Sequence, residues 1–138
     1  MPEAAIGAQA RLPGLADAVI VGGGIIGLEM ACVYDALGST VTMVELLPGL
    51  MPGADPDLVK PLERRIRKRY AAIHLETKVS GIDVADDALV VHFEGKHTET
   101  ESFDRVLVAV GRTPNGKRIN AQAAGVEVDE RGFIAVDS

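Results

Sequence analysis

Apolar positions along this chain switch between continuous runs, a helical period and strict alternation. Ala18-Val19-Ile20-Val21 is a short β-branched run and predicts a buried strand. Gly22 to Gly24 turns the chain. Ile25 to Leu37 then reads as a helix, with Ile26, Met30, Val33 and Leu37 recurring on one side. Gly38 stands where a helix end favours positive φ. Thr40 to Glu45 predicts a second strand, parallel to the first because a helix connects them. After a Pro/Gly-containing loop, Leu46 to Ala54, Asp55 is a good N-cap and Pro56 a good first helical residue. That helix is expected to reach about Tyr70, with Leu58, Leu62 and Ile66 inward and a kink or restart at Pro61.

From Ala72 the period becomes two. Ile73–Val79, Gly81–Val84, Leu89–Glu94 and Thr98–Phe103 predict short strands, the last three as an antiparallel meander. Arg105–Val110 is continuously apolar after its first residue, as in the middle of a parallel sheet. Val126–Val128 and Phe133–Val136 predict a terminal hairpin. Residues 1–17 are small, polar and Pro/Gly-containing and read as a connector, leaving 18–138 as one domain. The expected class is α/β: a Rossmann-like parallel sheet with helices, plus a three-stranded antiparallel meander. The last residues are strand-like, as in a piece of a longer protein.

Composition narrows the partners. The 138 residues carry 20 acidic and 14 Lys/Arg side chains, a formal charge of −6, which disfavours nucleic acid as a partner. No apolar run approaches the ~20 residues of a membrane span, and the N-terminus lacks the pattern of a secretory signal. The expected location is cytoplasmic. The single cysteine, Cys32, cannot pair internally and is expected as a small packing residue within its helix. The five cations Arg64, Arg65, Arg67, Lys68 and Arg69 read as a solvated face, or less simply as a docking patch for an acidic partner.

The strongest motif is Gly22-Gly23-Gly24-Ile25-Ile26-Gly27, which holds G-x-G-x-x-G at 22, 24 and 27. It follows a strand, opens a helix and precedes a second strand, the context in which the motif cradles a dinucleotide. Gly22 permits the turn, Gly24 lets backbone approach a pyrophosphate, and Gly27 lets the helix pack close. The free amides of the helix N-terminus then face the phosphates. The bland alternative is a Gly-rich turn without a ligand. Glu45 ends the second strand about 20 residues on, where an acid accepts from the adenosine ribose hydroxyls. A carboxylate there repels a 2′-phosphate, and Leu46 to Met51 supply no cation to hold one. NAD is therefore the expected ligand rather than NADP. The alternative for Glu45 is a solvated carboxylate at a strand end.

Val21 to Met30, Leu50-Met-Pro-Gly-Ala-Asp55, Glu76-Thr-Lys-Val79 and Val110-Gly-Arg-Thr-Pro-Asn115 together resemble the NAD-binding domain of dihydrolipoamide dehydrogenases, bacterial ones most. Those enzymes are FAD-dependent pyridine nucleotide–disulfide oxidoreductases. The resemblance, from about residue 12 onward, implies that Gly22, Gly23, Gly24, Ile25, Ile26, Gly27, Leu28 and Glu29 wrap the pyrophosphate and reach towards the nicotinamide. Glu29 would lie by the carboxamide, though by itself it reads as an exposed helix charge. Glu45 would take the ribose, Val79 would lie by the adenine, and Gly111 near the ribose and nicotinamide. Arg112 would organise its loop or a domain junction.

Other residues of that family are absent. There is no second Gly-rich motif for FAD, no redox cysteine pair and no C-terminal His–Glu pair. No catalytic residue and no metal ligand is expected; His74, His92 and His97 read as scattered surface residues. The resemblance implies that this chain positions NAD(H) for hydride transfer with FAD held by other domains, in oxidation of dihydrolipoyl groups, and is inactive alone. Implied partners are the FAD and dimerisation domains of the parent enzyme and a 2-oxo acid dehydrogenase complex. An NADH oxidase, mercuric reductase or transhydrogenase relative, or a stand-alone nucleotide-sensing module, remains open at this level.

Overall fold

The computed structural model describes residues 17–137. The expected connector lies outside the described residues except for Asp17, which opens the first strand rather than closing a linker. The elements are β1 (Asp17–Val21), α1 (Ile25–Ala36), β2 (Thr40–Val44), α2 (Pro56–Ile66), β3 (Ala72–His74), β4 (Thr77–Val84), β5 (Leu89–Gly95), β6 (Thr100–Phe103) and β7 (Arg105–Val108), followed by 3₁₀ turns at Gly116–Arg118 and Ala121–Ala124. A parallel sheet has the order β3-β2-β1-β7, and a separate antiparallel sheet the order β4-β5-β6.

The parallel sheet is the middle of three layers. Successive residues of a strand point to opposite faces. Ile20, Val41 and Met43 pack with Leu28, Ala31, Val59, Ile66 and Tyr70, so the helices cover one face. Val19 and Val44 pack with Val91, Phe93 and Phe103 of the antiparallel sheet, which covers the other. Burial on both faces explains why β1 and β2 read as unbroken apolar runs.

The inward face of α1 differs from the expected stripe. Gly27, Leu28 and Ala31 are buried, whereas Ile26, Val33 and Leu37 are exposed. Small side chains at 27 and 31 bring the helix close to β1. A Cβ on Gly27 would lie 1.9 Å from the Gly22 carbonyl oxygen, far inside contact distance. Leu37 caps the helix and Gly38 follows at φ +95°.

In α2, Asp55 caps as expected, its Oδ1 accepting from the Asp57 amide at 2.9 Å. Pro61 neither ends nor restarts the helix, which instead stops at Ile66, short of Tyr70. Pro61 and Asp57 are both exposed, so the carbonyl that loses its helical donor is open to water. Leu58 is 75% exposed and Val59 takes the inward place beside Ile66. The five cations from Arg64 to Arg69 are all exposed.

Three further expectations are corrected. The strand expected over Ile73–Val79 is two strands in different sheets, because Glu76 takes φ +52° and redirects the chain. Arg105–Val110 is not central: β7 lies at the sheet edge, stops at Val108, and leaves Val110 72% exposed. The terminal hairpin is a single bridge, Val128 to Ile134; its turn is held by Asp129 Oδ1, which accepts from the Arg131 and Phe133 amides, both at 2.8 Å.

Cys32 is exposed rather than packed inside. Its Sγ lies 3.5 Å from the Tyr70 hydroxyl. Burial, and then this contact, push the Tyr70 phenol well above its ordinary value.

The contact between α1 and the turn gives a direct test. Gly27→Ala forces the helix off β1 and is expected to cost about 3 kcal/mol, lowering the thermal midpoint by roughly 10 °C. A midpoint within 2 °C of the parent's, on the order of the effect of an ordinary surface change, would refute this packing.

Candidate functional site

The carboxyl ends of β1, β2 and β7 open onto one cavity of about 530 Å³. Its lining includes Gly22, Gly24, Glu45, Thr77, Lys78 and Val79, with Ala109 and Val110 closing the β7 side. Such a crevice beyond the strand ends is where open α/β sheets take ligands.

The glycine turn has two kinds of work. Gly22, at φ +114°, lies so close to the Ala109 carbonyl that no side chain fits. Gly24 has ordinary extended backbone, φ −77° and ψ −176°, and a Cβ there would meet nothing within 4 Å. Its lack of a side chain is therefore not required by the protein's own packing. It leaves open the space in front of α1. No side chain caps that helix N-terminus, so its first amides and its positive dipole end remain available to an anion.

Glu45 is built in from several directions. Its amide donates to the His74 carbonyl at 2.8 Å, and its carbonyl accepts from the Thr77 amide at 3.0 Å. The turn at Glu76 thus grips the residue that follows β2. Its side chain is drawn inward: Oε2 accepts from the Gly23 amide at 2.6 Å and Oε1 from the Leu47 amide at 2.8 Å. The residue is 8% exposed, so it is not a solvated carboxylate at a strand end. Each carboxylate oxygen retains a further lone pair. The loop after Glu45 is tied to the same turn, the Met51 amide donating to the Gly23 carbonyl at 2.8 Å.

Of the residues expected at the site, the structure brings Gly22, Gly24, Glu45 and Val79 to one cavity. Gly23 lies beneath, between Glu45 and Leu50. Ile25, Ile26 and Gly27 form the first turn of α1, where Ile25 and Ile26 are exposed. The Leu28 side chain belongs to the core, leaving only its backbone for a ligand. Glu29 is exposed on α1. Gly111 lies beyond the lining, which ends at Val110.

Sequence reasoning passed over Thr77 and Lys78. Thr77 is fully buried, its hydroxyl donating to the Leu75 carbonyl at 2.9 Å. Lys78 puts a cation in the cavity wall, paired with Glu94 at 3.1 Å. The motif Glu76-Thr-Lys-Val79 held both residues, but only Val79 was singled out from it. Two of the three histidines also depart from expectation. His92 pairs with Asp83 at 2.7 Å in the antiparallel sheet, whereas His74 and His97 are partly buried and stacked on each other.

Comparison with known proteins matches this architecture. The family model described as "Pyridine nucleotide-disulphide oxidoreductase" matches residues 3–138. Dihydrolipoyl dehydrogenase of Vibrio cholerae is 51% identical over 121 residues, covering 86% of this chain and 25% of the relative. The protein of that name from Haemophilus influenzae is 52% identical over 120 residues, again covering 86% and 25%. The chain thus spans about a quarter of the length of these curated relatives. Among solved structures, a FAD-dependent pyridine nucleotide-disulphide oxidoreductase from Desulfovibrio vulgaris shares 38% identity at a TM-score of 0.72, covering 88% of this chain and 30% of that one. The HOCl-induced flavoprotein disulfide reductase RclA from Escherichia coli, as its Cu(II) complex, shares 31% at 0.73, covering 88% and 28%. With the glycine turn, the inward carboxylate and the two-sheet frame in place, this chain belongs to the pyridine nucleotide-disulphide oxidoreductase family.

Proposed function

We propose that residues 18–138 are the NAD-binding domain of a dihydrolipoyl dehydrogenase, holding NAD(H) for hydride exchange with a flavin carried by other domains. The observation that carries this reading is the open space at Gly24 before an uncapped helix, with Glu45 lining the same cavity. The relatives of about 50% identity support the dihydrolipoyl branch.

The residues fit the dinucleotide. The amides opening α1 hold the diphosphate, and the missing Cβ at Gly24 admits it. Glu45 accepts from ribose hydroxyls with its remaining lone pairs while the Gly23 and Leu47 amides fix its position. Val79 and its neighbours flank the adenine, and Glu29 and Gly111 bound the nicotinamide end. Bound NAD supplies the hydride acceptor; the protein supplies orientation. FAD, the redox disulfide and the acid–base groups belong to other domains, so the chain by itself is inactive. The partners are those domains and a 2-oxo acid dehydrogenase complex in the cytoplasm. No helix among the described residues is long and apolar enough to cross a membrane.

Preference for NAD rests on Glu45. A 2′-phosphate would meet a buried carboxylate that the fold holds in place, and like charges at short range are costly in a poorly solvated site. Lys78, the cation in the wall, is already paired with Glu94. Titration of the chain with each nucleotide, followed by calorimetry, is expected to give at least tenfold tighter binding of NAD. Equal or tighter binding of NADP would overturn the assignment. Glu45→Gln is expected to narrow the ratio.

The cradle has a cleaner variant. Gly24→Ala meets no protein atom and requires no unusual backbone, so the thermal midpoint should stay within about 3 °C, the effect of roughly 1 kcal/mol. Affinity for NAD should fall at least tenfold, because the new methyl group occupies the diphosphate's space. Unchanged affinity would mean that the nucleotide does not lie at this turn.

A further inference from the structure

A second cluster of chemistry in the fold lies where the two sheets meet. His74 closes β3 of the parallel sheet. His97 sits in the β5–β6 connection and Glu101 on β6 of the antiparallel sheet. The two imidazoles stack with centroids 3.8 Å apart and planes 9° from parallel. Phe93 walls both rings, with centroids at 5.8 Å from His74 and 5.5 Å from His97. His97 Nε2 is 2.8 Å from Glu101 Oε1, and His74 Nε2 is 4.0 Å from the same oxygen.

His74 Nε2 is buried and has no hydrogen-bond partner among the described residues. Leaving a buried polar atom unpaired is costly, and the Glu101 oxygen nearby is already engaged by His97. Burial first, and the adjacent His97 second, push His74 below the ordinary histidine value, against weaker opposing pulls from Glu101 and Glu99. Neutral imidazole is the form that ligates metals.

We propose that His74, His97 and Glu101 bind a zinc ion that staples the parallel sheet to the antiparallel one. Two imidazoles and one carboxylate are a common zinc ligand set, with a fourth position left for water. The three donor atoms all lie within 4.8 Å of one another. Tetrahedral coordination at zinc–ligand lengths of 2.0–2.2 Å separates donors by roughly 3.3–3.5 Å. The present 2.8 Å and 4.0 Å separations bracket that range, but the rings now lie nearly parallel, so coordination requires both imidazoles to turn about their side-chain torsions and give up the stacking for their in-plane lone pairs to converge on one ion. Zinc would bind His74 Nε2 in the tautomer that carries its proton on Nδ1. At His97 it replaces the proton shared with Glu101, which moves to the other ring nitrogen. The phenyl wall excludes water from one side and strengthens the attraction between ion and carboxylate.

Calorimetric titration of the chain with zinc chloride is expected to show one ion per chain. At a hundredfold excess over the dissociation constant the thermal midpoint should rise by roughly 8 °C. His97→Asn and Glu101→Gln should each weaken zinc binding at least tenfold and abolish most of that rise. His92→Asn and Cys32→Ser, which alter the exposed alternatives, should leave both unchanged. The far-UV circular dichroism of each variant without zinc reports whether it folds, and Glu101→Gln decides the question should His97→Asn not fold. Binding of equal strength in a folded His97 or Glu101 variant, or no rise in midpoint with zinc, overturns the proposal.

Discussion

A carboxylate held inside the protein by two backbone amides is the constraint around which this fold is arranged. Taking an ionised carboxylate out of water is costly unless hydrogen bonds replace its hydration. Here the Gly23 and Leu47 amides do so, at 2.6 and 2.8 Å, and charge-assisted bonds of this kind are about twice as strong as neutral ones. The two amides lie on opposite sides of Glu45 in the chain. One belongs to the turn between β1 and α1, the other to the loop leading to α2. The carboxylate thereby sets the distance between the glycine turn and the end of β2. Backbone bonds from His74 and Thr77 fix the residue itself, so the antiparallel sheet takes part in placing it.

That arrangement explains which parts of the fold were legible from the sequence. Elements whose residues satisfy only local rules were read closely. The β1 and β2 runs, the Asp55 cap, Gly38 and the meander all follow from side-chain period or backbone preference within a few residues. The failures occur where a distant contact overrides the local pattern. The apolar stripe of α1 from Ile26 to Leu37 is regular, yet the helix buries Gly27, Leu28 and Ala31 instead, because close approach to β1 favours small residues over large ones. Glu76 adopts a left-handed conformation that its side chain does not advertise. Its cause is the need to pass from one sheet to another between β3 and β4. The residues of β7 are apolar enough for a central strand, but no further strand among the described residues pairs beyond it.

The site divides in the same way. Gly22, Gly24 and Glu45 were legible because a known spacing carries a known mechanism. Lys78 and Thr77 were harder, since they come from the strand after the Glu76 turn and reach the cavity only through the packing of the two sheets. Nothing in the spacing of His74, His97 and Glu101 marks them as neighbours, because His74 belongs to a different sheet from the other two. Sequence separation conceals such a cluster, and only the register between sheets assembles it.

The three motif glycines separate two demands that a sequence pattern merges. Gly22 and Gly27 lack side chains because the protein's own backbone fills the space. Gly24 lacks one although nothing in the protein fills its place. Folding alone therefore explains two of the three. Alanine would fit at the third with ordinary dihedrals and would cost less conformational entropy on folding. A glycine kept where the fold does not need it argues for something outside the chain that does. The uncapped helix end beside it sets the sign of a ligand that fits there, since those amides and that dipole favour an anion. Glu45 gives it shape, because a carboxylate next to an anion site is tolerable only for a ligand whose nearby part is neutral and donates hydrogen bonds. A diphosphate joined to a ribose with free hydroxyls meets all three conditions at once.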